Sequence, residues 1–131
     1  MYIPDGFGTM FPYVFAKEAS KFVAFLVDAF DAVEVGRTVA PDGSIANARV
    51  RIGTTTFMVS EASDRFKPTQ SAFYLYVEDV DRTFQTALSH GAEKVLEPMD
   101  MDYGDRQGGV TDPSGNIWWI STRLVEEPYD E

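Results

Sequence analysis

Along the chain the period of apolar and polar positions changes, and it does so in the same order twice. Thr9 to Phe15 is rich in aromatics and reads as a strand. Ala19, Phe22, Val23, Leu26, Ala29 and Phe30 then recur at spacings of three and four, which puts them on one face of a helix. Three strand-like runs follow: Val33 to Val39, closed by the turn Pro41-Asp42-Gly43, then Ile45 to Ile52, then Thr55 to Ser60 after the tight connection Gly53-Thr54. At Ala72 the order restarts with a strand to Val77. Asp79 is placed to cap a second helix, Val80, Phe84, Ala87 and Leu88 share its apolar face, and His90-Gly91 ends it. Lys94 to Met99, Arg106 to Thr111 and Asn116 to Thr122 read as three further strands, the last two joined by the turn Asp112-Pro113-Ser114-Gly115.

The two halves align at an offset near 60 residues. Tyr13-Val14-Phe15 falls on Tyr74-Leu75-Tyr76, and Ala29-Phe30-Asp31-Ala32 on Ser89-His90-Gly91-Ala92. Weak identity in an identical order of elements indicates a duplicated β-α-β-β-β unit. The expected organisation is one α+β domain: unit one at 9–61, a polar linker at 62–70 carrying Pro68 and no chemistry, unit two at 71–123, and a tail at 124–131.

Composition narrows the function classes. The chain has 131 residues, 44% of them hydrophobic and 14% aromatic, enough to bury a core. It has no cysteine, so disulfides, zinc thiolates and thiol nucleophiles are excluded together. The net charge of −10 argues against nucleic acid, whose phosphates require Lys and Arg. No apolar run is long enough to span a membrane, and Met1-Tyr2-Ile3-Pro4-Asp5 lacks the pattern of a signal peptide, so a cytoplasmic location is expected. Carboxylates crowd the tail from Glu126 to Glu131, which is expected to fray.

The duplicated unit, the stretch Tyr103-Gly104-Asp105-Arg106 and the ending Asp112-Pro113-Ser114-Gly115-Asn116 resemble the glyoxalase/bleomycin-resistance superfamily, the vicinal oxygen chelate fold, in its PhnB-like branch. The resemblance implies two βαβββ units forming a curled mixed sheet, a cup, with the helices outside. It also implies a homodimer. Enzymatic members hold a divalent metal with a His or carboxylate from each of four strands. Here the matching positions carry Phe11, Ser60, Ala72 and Trp119, with Glu61 one register away, while Asn47 and Asn116 stand where PhnB-like relatives often carry His. No catalytic metal and no other cofactor is therefore expected. The single histidine, His90, is read as a helix-end residue favoured by the helix dipole.

Alternation along the strands then assigns the cup lining. If Ala46, Ala48, Val50 and Ile52 face a helix, Asn47, Arg49 and Arg51 face the cup. If Trp118 and Ile120 lie under a helix, Ile117, Trp119 and Ser121 point inward. Phe11, Tyr13, Phe15, Met58, Ser60, Ala72, Tyr74 and Tyr76 complete an aromatic lining, and Arg49 and Arg106 are candidate anchors for a carboxylate or phosphate. Arg106 has an equal structural reading, as a brace of the Gly-Asp-Arg turn. A small-molecule-binding protein for an aromatic or partly apolar organic ligand is the first functional reading. The alternative is a lyase or isomerase, metal-independent or with atypical metal ligands, using Asp105 as base and Tyr103 to steady an oxyanion.

Overall fold

The computed structural model describes residues 1–129. The elements run β1 (Tyr13–Ala16), α1 (Ala19–Phe30), β2 (Val33–Val39), β3 (Ile45–Ile52), β4 (Thr55–Glu61), β5 (Ala72–Tyr76), α2 (Val80–Ser89), β6 (Glu93–Asp100), β7 (Asp105–Thr111) and β8 (Ile117–Arg123). The chain divides into two compact units, Met1–Thr69 and Gln70 onward. Each is a four-stranded mixed sheet packed against one helix, in the order β1-β4-β3-β2 in the first unit and β5-β8-β7-β6 in the second. The first and last strands of each unit pair in parallel, and the remaining pairs are antiparallel.

The expected single curled sheet is thereby corrected. There are two sheets, neither curled nor closed, and every ladder is completed inside its own unit. Periodicity reveals which residues form strands and which face each side chain takes. It does not reveal where a sheet stops, because that depends on which backbone groups find partners. The first strand is also shorter than its aromatic run suggests. Pro12 has no N–H to give to a ladder, although its carbonyl still accepts from Met58 N at 3.3 Å. Phe11 therefore precedes β1 and packs against Phe7, ring centroids 5.0 Å apart, rather than projecting from a strand.

The core of each unit lies between helix and sheet. In the first, Phe22, Val23 and Leu26 of α1 are buried with Val14, Ala48, Val50 and Val59. In the second, Val80, Phe84 and Ala87 of α2 are buried with Val110, Trp118 and Ile120. Phe84 sits so close to Gly108 that a Cβ there would meet its ring at 3.0 Å. Ala46 departs from the expected phasing: it is exposed and Ile45 is buried, because the ladder with β2 shifts register between Thr38 and Val39.

The helix ends differ between units. Asp79 caps α2 locally, accepting from Arg82 N at 3.1 Å. Glu18 precedes α1 in a left-handed conformation with no side-chain cap of its own. Its place is taken by Glu61 from β4, whose carboxylate accepts from Glu18 N at 2.8 Å and Ala19 N at 2.9 Å. His90 is the C-cap residue of α2, exposed, with ring Nδ1 2.9 Å from the Thr86 carbonyl. The turn between β7 and β8 is pinned by buried Asp112, which accepts from Ser114 N (2.8 Å), Asn116 N (3.1 Å) and Trp118 Nε1 (2.7 Å). The Asp-Pro-Ser-Gly-Asn motif is thus a structural brace.

Candidate functional site

Each sheet has a second face, turned away from its helix, and most of the candidate residues lie on these two faces. On the first, Tyr13, Asn47, Arg49, Met58 and Ser60 are neighbours through the β1–β4 and β3–β4 ladders. Their polar groups form one chain of donors. Asn47 Nδ2 donates to Tyr13 Oη at 3.3 Å, Tyr13 Oη lies 2.5 Å from Ser60 Oγ, and Ser60 Oγ donates to the Ala46 carbonyl at 2.8 Å. Arg49 Nη1 donates to Asn47 Oδ1 at 3.0 Å, and its guanidinium lies over Gly36, where a Cβ would stand 2.5 Å from Nη2. Beside this chain is a concavity of about 560 Å³ whose aromatic wall is Tyr13, Phe15 and Phe66 and whose polar groups include Ser44 and Ser60. Phe15 and Phe66 stack at 5.2 Å. Phe66 comes from the segment expected to carry no chemistry. Ser63, which also lines the concavity, donates its N–H to the Phe66 carbonyl at 2.8 Å.

The second face has a different character. Ala72, Tyr74, Tyr76, Trp119 and Ser121 lie on it together, with Trp119 flat against Gly109, where a Cβ would approach its ring to 2.7 Å. At its centre is Asp105, fully buried. Asp105 Oδ1 accepts from Arg123 Nη1 at 3.0 Å, and Oδ2 accepts from the hydroxyls of Tyr74 and Tyr129, the latter at 2.6 Å. Burial alone pushes the Asp105 carboxyl up, but the hydrogen bonds from Tyr129, Tyr74 and Arg123 outweigh it and hold it below the ordinary carboxylate range. Tyr74 is pushed up by burial and by its bond to Asp105, and Tyr129 is pushed up by its bonds to Asp105 and Tyr76.

This arrangement bears on the acid/base pair. Tyr103 Oη donates to Gln107 Oε1, not to Asp105, and Gln107 Nε2 donates to Ser121 Oγ at 2.9 Å. Asp105 is an ionised acceptor with both oxygens engaged, which is a poor state for a general base. Of the two readings of Arg106, its contacts favour the structural one. It lies on the helix side of β7, with Gly108 and Val110, and its guanidinium bonds Asp81 at 2.9 Å (twice) and Asp100 at 2.9 Å. Those bonds push its pKa up.

The four positions implied for metal ligands do not fit a metal. Phe11 and Ala72 have no donor, the Trp119 ring covers Gly109, and the Ser60 hydroxyl is committed to Tyr13 and the Ala46 carbonyl. Glu61 is committed to the N-terminus of α1. Among the described residues, no three His, Cys, Asp or Glu side chains converge as a metal set. No helix of the described chain is long and apolar enough to cross a membrane.

Residues 9–120 match the model of the Glyoxalase/Bleomycin resistance protein/Dioxygenase superfamily. The chain belongs to that superfamily. It is 36% identical over 131 aligned positions to an uncharacterized protein of Mycobacterium bovis, covering 92% of this chain and 86% of that one. Among solved structures it is similar to TioX from Micromonospora sp. ML1, with a TM-score of 0.76 and 25% identity over 89% of this chain and 99% of the other. It also shares its fold with TnmS3, an antibiotic-binding protein from Streptomyces sp. CB03234, at a TM-score of 0.70 and 18% identity, covering 94% and 98% of the two chains. Members of this superfamily carry many chemistries, so function rests on the site rather than the fold.

Sequence reasoning missed four residues that shape the faces: Phe66, Gln107, Arg123 and Tyr129. Two were within reach. Alternation carried two residues beyond Ser121 puts Arg123 on the same face, and alternation along β7 puts Asp105 and Gln107 there in place of Arg106. Phe66 and Tyr129 lie outside regular elements, where no period exists to place them.

Proposed function

We propose that this chain is a small-molecule-binding member of the superfamily that works without a catalytic metal, holding an aromatic or partly apolar organic ligand against the open face of the first sheet. The observation that carries this reading is the concavity of about 560 Å³ bounded by Tyr13, Phe15 and Phe66. It exceeds the roughly 300 Å³ at which small-molecule sites begin, and its lining combines the aromatic walls with the hydroxyls of Ser44 and Ser60 and the carboxylates of Asp42 and Glu61. The stacked Phe15–Phe66 pair offers a flat surface for a planar ring, while Ser44 and Ser60 set its orientation. Support at the level of the fold comes from the antibiotic-binding TnmS3. Placement in the PhnB-like branch and assembly as a homodimer are part of the same reading. They rest on the motif resemblance, and light scattering on the purified chain tests the second.

A thermal-shift panel of planar aromatic and glycopeptide antibiotics, run with and without EDTA, tests the reading. The expected result is a saturable rise in Tm for at least one planar compound, unchanged by EDTA. Phe66→Ala should weaken that compound about tenfold, the loss of one aromatic contact. No stabilisation by any compound with the fold intact, or stabilisation only after a divalent metal is added, would count against it.

A further inference from the structure

The last described residues are tied to the second sheet. After β8 the chain turns back across the second face, and Arg123 holds it by donating to the Glu127 carbonyl through Nε at 3.2 Å and Nη2 at 2.7 Å. Asp130 and Glu131 lie outside the described residues. Tyr129 then makes three contacts of different kinds with groups fixed on the sheet. Its hydroxyl donates to Asp105 Oδ2 at 2.6 Å, the Tyr76 hydroxyl bonds the same oxygen of Tyr129, and the Arg123 guanidinium carbon stands 4.0 Å from the centre of its ring. Hydroxyl, second hydroxyl and ring face are each matched by a separate side chain. Such a set recognises a phenol, and it is built almost entirely from strand residues of β5, β7 and β8.

Other parts of the network hold without Tyr129. Asp105 keeps its bonds to Tyr74 and to Arg123, and Arg123 Nη1 is also fixed by the Tyr103 carbonyl at 2.6 Å. Removing Tyr129 therefore frees one lone-pair direction on a buried, ionised oxygen beside an exposed guanidinium face. A cleft of about 450 Å³ already opens next to this point, between Asp102–Gly104 and Val125–Tyr129. That volume accepts a molecule larger than one phenol ring.

We propose that the second face is a binding site for a phenol, or for another flat ring bearing a hydroxyl donor, and that the chain's own Tyr129 fills it as a tethered competitor. Asp105 Oδ2 accepts the ligand hydroxyl, Tyr76 donates to it, and Arg123 covers the ring by a cation–π contact. A tether of six residues from Arg123 presents Tyr129 at an effective concentration on the order of millimolar, so only a ligand with contacts beyond the bare ring displaces it. Its residues all belong to the second unit.

The test uses 4-methylphenol, which is the tyrosine side chain itself, and toluene, which lacks the hydroxyl. Binding to wild type, Tyr129→Ala and Tyr129→Phe is followed by tryptophan fluorescence and Tm, with circular dichroism as the check of folding. The expected result is saturable binding of 4-methylphenol to Tyr129→Ala, at least about tenfold weaker binding to wild type, and no binding of toluene to either. Tyr129→Phe should fall between, since it keeps the ring and loses the hydroxyl. Equal binding to wild type and Tyr129→Ala, equal response to toluene, or no saturable binding to a folded Tyr129→Ala overturns the proposal. Tyr13→Ala should leave the 4-methylphenol result unchanged, which separates this site from the one in the first unit.

Discussion

The two units share a scaffold but differ at one buried position on the third strand of each sheet. β3 opens on Ile45, beyond the register shift at Val39, and β7 opens on Asp105, in phase with Gln107. Both are essentially inaccessible, at 1% and 0% exposure. The first unit fills the position with a hydrocarbon and needs nothing further. The second fills it with a charge, which Arg123, Tyr74 and Tyr129 satisfy. Since the first unit folds without such a network, the network is not a requirement of the fold. A buried ion pair is also weak grounds for stability, because desolvation offsets most of the attraction. We propose recognition as the use of the Asp105 network, and the aromatic concavity of the first unit as the container for an organic ligand.

The comparison breaks most visibly if the second unit is given the first unit's residue. Asp105→Ile strands Arg123 and two tyrosine hydroxyls, and we expect a loss of about 3 kcal/mol in urea unfolding, the low end for a broken buried pair because Arg123 keeps some access to water. Asp105→Ile with Arg123→Ala removes both charges and should recover much of it. A loss below about 1 kcal/mol for the single variant would mean the charge is not truly confined.

Acid reads the same difference without mutation. Asp105 is held below its ordinary 3.8 in the folded chain, so its contribution is present above that value and is lost as pH falls from there through the folded value. Tyr74 and Tyr129 are raised above 10.0, so their contribution is complete below pH 10 and is lost as pH rises beyond it. Amide exchange should therefore rise first in β5, β7 and β8 at both extremes. The buried side chains described in the first unit include no carboxylate, and its strands should lag in acid.

The hairpin turns give a smaller contrast. Asp112→Ala removes the carboxylate that accepts from the Trp118 indole N–H and the Asn116 backbone N–H and should cost about 2 kcal/mol. Thr54→Ala, in the exposed Gly53-Thr54 connection, should stay within about 0.5 kcal/mol. The helix caps give a contrast smaller than that of Asp112. Glu61→Ala removes the remote cap of α1 and Asp79→Ala the local cap of α2, each about 1 kcal/mol by thermal or urea unfolding.

Much of this was legible in the sequence, and what was not has definite causes. All eight strands and both helices follow from period and turn chemistry, with the first strand cut short by Pro12. The faces of β4, β5 and β8 follow from alternation, because each carries an unbroken apolar side such as Trp118 and Ile120. The face of β7 does not, since Gly108 and Gly109 leave no side chain to reveal the helix side. The β3 face slipped at Ala46 for the register shift beside Val39. Sheet closure was an inference from resemblance, and the hydrogen bonding gives two separate sheets. Glu61, Phe66 and Tyr129 act through tertiary contacts over 40 to 50 residues or across irregular segments, which no local pattern encodes.

We propose an organic ligand on the open face of the first unit, held without a metal. A two-dimensional amide NMR titration in EDTA, using the strongest planar compound from the thermal-shift panel, addresses it directly. The account predicts saturable shifts at Tyr13–Phe15, Asn47–Arg49, Met58–Ser60 and Phe66. Shifts confined to the second unit, or shifts that appear only after a divalent metal replaces the chelator, would contradict it.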